Sequence, residues 1–84
     1  MGGDIREIQT GRISPNRRLV YSEESIEKME TSLREGQREP ILISFEHDHF
    51  RIIDGEKRWR ACRRLGLATI RALILGPEPR HSPP

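Results

Sequence analysis

Residues 52–70 read IIDGEKRWRACRRLGLATI. Two isoleucines meet Asp54-Gly55, a cation-rich run starts at Lys57, and Gly66 ends it before Thr69 opens a second β-branched stretch. This is the grammar of strand, turn, helix, turn, strand. Trp59, Cys62 and Leu65 recur on one helical face, so the helix packs that face on a core. Five of the eight residues from Lys57 to Arg64 are basic. Cations at a helix start oppose the dipole unless a carboxylate or a bound anion offsets them. Glu56 is such a carboxylate. A phosphate is the other solution, because a helix start offers unpaired N–H groups and a glycine lets a ligand approach the backbone closely. A solvated helix face accounts for the same residues. Spacing alone leaves both readings open.

Working outward, EPILISF (39–45) and FRIID (50–54) read as strands on either side of EHDH (46–49), a polar break of hairpin length. TIRALIL (69–75) is a further strand. SEESIEKMETSLREG (22–36) is the clearest helix: Ser22 is its N-cap, Glu23 and Glu24 suit the positive end of its dipole, Ile26, Met29 and Leu33 form one stripe, and Gly36 takes C′. IREIQTGRI (5–13) is expected to form one weak strand that Gly11 breaks or bulges. SPNRR (14–18) is a turn or extended connection. The order strand, helix, strand, strand, helix, strand predicts an α+β fold, a small mixed β-sheet covered by helices. One domain is expected over residues 1–75. GPEPRHSPP (76–84), with four prolines, is expected to be a Pro-rich linker or disordered tail.

Eighty-four residues suffice for one small domain. The net charge is only +2, so no bulk electrostatic grip on nucleic acid follows. The kind and placement of charge say more: 13 of the 15 basic residues are Arg, whose planar fork matches phosphate oxygens, and six Glu fall between Glu23 and Glu39. A single cysteine, Cys62, excludes an internal disulfide and an all-cysteine metal site. With no stretch near ~20 apolar residues and no visible signal peptide, a cytoplasmic protein without a membrane partner is expected.

Several ordered pieces resemble the N-terminal domain of the ParB family of chromosome and plasmid partition proteins, with its ParB/sulfiredoxin-like fold. IIDGEKRWRACRRLGLATI is similar to the family's box of glycine, glutamate, two arginines, a variable residue, arginine and alanine. ISPNRRLVYSEESIEKMETSLREG and EPILI resemble its proline-asparagine-arginine segment, first helix and following strand. The likeness runs from about Ile5 to Leu75. It implies a nucleotide-binding module, for CTP or another nucleoside triphosphate with Mg²⁺, acting in DNA partition, chromosome or plasmid segregation, or another DNA-associated process. In the family, CTP closes a dimer into a clamp on DNA, so a homodimer and DNA are the implied partners, DNA indirectly or through a downstream domain. Carried over, Gly55, Glu56, Lys57 and Arg58 line the phosphate loop, with Arg58 the main charged contact. Arg60 serves the phosphates or the switching interface, and Asn16, Arg17 and Arg18 approach from the other side. Lys57 stands where many members have arginine, which keeps the charge but loses the bidentate fork. Neither the family's hydrolysis motif nor its helix-turn-helix has a counterpart here, so at most a longer protein is expected to hydrolyse CTP.

The same residues admit other chemistry. Relatives described as ParB-like nucleases, and others that phosphorylate free serine, make a nuclease or ATP-dependent transferase (kinase) the enzymatic alternative, with Asp54 and Glu56 as Mg²⁺-associated carboxylates. A module binding DNA backbone without nucleotide is the non-enzymatic one. Sulfiredoxin places a catalytic cysteine where this chain has Glu56, whereas Cys62 is expected to be a buried thiol. His47, Asp48 and His49 lack a third ligand and are expected to be a solvated turn rather than a metal site. Trp59 is expected at the core rather than stacked on a base, and Tyr21, before the cap, as a hydrophobic staple.

Overall fold

The computed structural model describes residues 4–15, 20–37 and 39–75. Five strands form one sheet in the order β1-β5-β3-β4-β2: β1 Asp4–Gln9, β2 Ile13–Ser14, β3 Ile41–Glu46, β4 His49–Asp54 and β5 Thr69–Leu75. Among the described residues two α-helices accompany the sheet, α1 Glu23–Arg34 and α2 Glu56–Leu65. β1 runs antiparallel to β5, β5 parallel to β3, β3 antiparallel to β4, and β4 parallel to β2. The sheet is therefore mixed and the class α+β, as the sequence implies.

Register explains the core. Ile41 and Ile43 of β3 lie beside Ala72 and Ile74 of β5, and Ile43 beside Ile52 of β4. Alternation puts these residues on one face. Ile41, Ile43, Ile70 and Ala72 are almost wholly buried, packed with Ile26 and Leu33 of α1 and Trp59, Ala61 and Cys62 of α2. The intervening residues Ile5, Leu73 and Leu42 align across three strands on the opposite face.

Local chemistry sets the boundaries. The Ser25 N–H donates to Ser22 Oγ at 3.1 Å, capping α1, and Gly36 follows the C-cap with φ 118°. The hairpin tightens to two central residues, His47 and Asp48, both with positive φ, while His49 is already in β4. That is the primed turn geometry that matches strand twist. β3 starts at Ile41, two residues later than expected.

One expectation fails. Residues 5–13 are not a single strand: β1 ends at Gln9, a 3-10 turn occupies Thr10–Arg12, and β2 lies at the opposite edge of the sheet. Thr10 is the reason. Its N–H donates to the Ala68 carbonyl at 2.9 Å and its hydroxyl to the Leu67 carbonyl at 3.0 Å, so the chain is pulled off the β5 ladder toward the loop after α2. Gly11 lies within that turn. The proposed tail, 76–84, lies outside the described residues.

Candidate nucleotide site

The stretch 54–58 sits where β4 hands over to α2. Gly55 is the N-cap of α2, with φ 107° and ψ 20°, and supplies no side-chain cap. This contrasts with α1, whose first turn is capped by Ser22. Gly55 also meets a packing demand: a Cβ there would approach Ile41 Cγ2 to 2.7 Å and Ile41 Cβ to 2.8 Å. The glycine is thus required by β3 as well as by the turn.

In front of this helix start lies a hollow of about 270 Å³, lined by Tyr21, Met29, Glu39, Asp54, Gly55, Glu56, Lys57 and Arg58. Four of the residues singled out by sequence, Gly55, Glu56, Lys57 and Arg58, therefore meet at one cavity. The Arg58 guanidinium is partly accessible, with Nη2 4.0 Å from Glu39 Oε1, and Glu39 is largely exposed. A pair this open is screened and weak. Arg58 is not locked into a buried ion pair.

Glu56 behaves differently from its neighbours. Its side chain is only 2% exposed, and its carboxylate accepts from Arg60 Nε at 3.0 Å, one helical turn on. Glu56 and Arg60 thus neutralise each other inside the first turn, while Asp54 is exposed. Lys57 Nζ donates to Ser25 Oγ of α1 at 3.0 Å. Lys57 and Arg60 also lie 5.8 and 5.3 Å from the centroid of the Tyr21 ring. Such distances support cation–π attraction. Tyr21 packs against the core as a staple should, yet it also gathers two of the site's cations. The signal for that second role is an aromatic ring just before the cap of a neighbouring helix.

Tyr21 also borders a second hollow of about 470 Å³, with Pro15, Glu23, Ile26, Trp59, Arg60, Arg63 and Arg64. Pro15 is the last described residue before Asn16, Arg17 and Arg18, which lie outside the described residues. Arg64 is held by Glu23 and Glu30 of α1 at 2.6 and 2.9 Å. Trp59 is buried and donates through Nε1 to the Thr10 carbonyl at 3.0 Å, which places it in the core rather than on a base.

Cys62 is 1% exposed, and burial pushes its thiol above the usual range, against a smaller opposing effect of the Arg58 charge. A reactive thiol needs access and a lowered pKa, and Cys62 has neither. Among the described residues no three His, Cys, Asp or Glu side chains cluster as metal ligands, the His47–His49 turn included. Among the same residues no helix is long and apolar enough to cross a membrane.

The model of the ParB N-terminal domain matches residues 3–81. A nucleoid occlusion protein from Geobacillus sp. (strain WCH70) is 38% identical over 76 residues, covering 84% of this chain and 27% of that relative. The chain thus spans about a quarter of the length of the curated relatives it matches. Among solved structures, the C-terminally truncated chromosome-partitioning protein ParB from Caulobacter crescentus, complexed with CTP-γ-S, is 31% identical. It superimposes with TM-score 0.78 over 90% of this chain and 46% of that one. Sulfiredoxin from Arabidopsis thaliana is 25% identical, with TM-score 0.80 over 88% of this chain and 86% of that one.

Proposed function

The chain belongs to the ParB N-terminal domain family, and from that premise we propose that it is a nucleotide-binding module, for CTP in the first instance. Two observations, taken together, support this reading. The Caulobacter ParB that matches 90% of the chain holds CTP-γ-S, and this chain has an uncapped helix start, a positive-φ glycine and an accessible arginine around one hollow. Each feature suits phosphate oxygens: backbone N–H groups and the helix dipole attract the anion, and a guanidinium offers paired donors.

The cavity fits part of a nucleotide. Its 270 Å³ falls below the roughly 300–1,000 Å³ typical of small-molecule sites, so it suits the phosphates while sugar and base extend beyond it. Gly55, Lys57 and Arg58 are the phosphate-facing residues in this reading. Arg60 acts through Glu56 and Tyr21, and Asn16, Arg17 and Arg18 are further nucleotide contacts in this reading. Mg²⁺ would come with the phosphates. Asp54 is the carboxylate this chain offers it, since Glu56 is committed to Arg60.

Within a longer protein, the module would serve DNA partition or nucleoid occlusion, as the names of its relatives indicate for them. Two copies and DNA are its proposed partners, and a nucleoid-associated place in the cytoplasm its location. The direct test is isothermal titration of the 84-residue chain with each ribonucleoside triphosphate and Mg²⁺. Binding of CTP at or below hundreds of micromolar supports the reading, and no heat with any of the four removes it.

A further inference from the structure

Resting on that reading, we infer that Glu39 is a built-in competitor for the phosphate site: its carboxylate pairs with Arg58 beside the cavity, and an incoming nucleotide must displace it. The hollow is less cationic than its sequence suggests. Two cations, Lys57 and Arg58, face three carboxylates, Glu39, Asp54 and Glu56. Glu56 is turned to Arg60 at 3.0 Å, and it is Glu39 that reaches Arg58, at 4.0 Å.

The position of Glu39 is fixed from behind. Gln37 Nε2 donates to the Glu39 carbonyl at 2.7 Å and to the Arg71 carbonyl at 3.0 Å, while the Arg71 N–H donates to Gln37 Oε1 at 2.8 Å. The Gln37 amide thereby acts as one more rung beside β5 and ties the Glu39 backbone to the sheet. The loop need not move for the contact to open, because only the exposed carboxylate arm has to swing away. Such a contact subtracts, by the small worth of an exposed pair, from the affinity of every ligand that uses Arg58.

The test is titration of the 84-residue chain and two variants, Glu39→Gln and Glu39→Asp, with CTP-γ-S and Mg²⁺. Glu39→Gln should tighten binding roughly two- to fivefold, the size an exposed ion pair can reach. Glu39→Asp keeps the charge on an arm one methylene shorter, so it should also tighten binding. Unchanged or weaker binding by Glu39→Gln overturns the inference, weaker binding meaning that Glu39 touches the ligand itself. A gain in Glu39→Gln with none in Glu39→Asp overturns it too, since the effect would then be general repulsion. If the unaltered chain and both variants fail to bind, the nucleotide reading falls first and takes this one with it.

Discussion

The indole of Trp59 donates to the carbonyl of Thr10 across 49 positions of sequence, at 3.0 Å and buried. That bond ties the start of α2 to the turn where β1 leaves the sheet. Trp59→Phe should therefore cost ~1–2 kcal/mol, the range for a buried polar group losing its partner. Trp59→Ala, which also empties the ring's space, should cost ~3–5 kcal/mol. Urea denaturation followed by circular dichroism measures both, and equal stability of Trp59→Phe and the unaltered chain would show the bond to be idle.

Gly55 and Gly36 share a positive φ, 107° and 118°, but differ in what surrounds them. A Cβ at Gly36 meets nothing within 4 Å, whereas one at Gly55 runs into Ile41. Gly36→Ala should cost ~1–2 kcal/mol from backbone strain alone. Gly55→Ala adds a core clash and should cost ~2–4 kcal/mol. Matching losses in a denaturation series would mean that Ile41 yields freely.

Arg58→Ala should weaken CTP-γ-S binding by ~1.5–3 kcal/mol, the range for a hydrogen bond to a charged group. Arg63 makes a suitable control. It lies over the Trp59 ring at 5.6 Å and lines the other hollow, so Arg63→Ala should leave the affinity unaltered. Calorimetry that finds both variants alike would move the phosphates away from Arg58.

Burial raises the pKa of the Cys62 thiol in the folded chain. The sign follows from linkage. Above the free-thiol pKa of about 8.5 the unfolded chain loses this proton while the folded chain keeps it, so stability present at lower pH declines as pH rises toward the folded pKa. The slope contributed by this group is at most ~1.4 kcal/mol per pH unit. Cys62→Ala should flatten the decline between pH 8.5 and 10 in thermal melts; an identical slope in the variant would assign it to other groups.

Much of this architecture is legible before any coordinates. Glu56–Leu65 and Thr69–Leu75 fall where the letters put them, because Gly55 and Gly66 punctuate a periodic stretch. Residues 5–13 mislead, since alternation is the same for one strand or two. Only Thr10's bonds to Leu67 and Ala68, remote in sequence, decide where the chain departs. At the site, residue types identify Gly55 and Arg58, but not the commitments of their neighbours. That Glu56 faces Arg60, that Tyr21 collects Lys57 and Arg60, and that Gln37 pins Glu39 are tertiary facts without a local pattern.

Among the described residues β1 is an edge strand, six residues long, paired with β5 on one side. An open border of that length invites a second copy to extend the sheet. Antiparallel joining about a twofold axis, with side chains kept on their own faces, must centre on a residue opposite itself. Centred on Arg6 it stacks two guanidiniums, and centred on Glu7 two carboxylates, and like charges directly opposite are unfavourable. The middle of the strand thus disfavours the two registers that would pair most of its length.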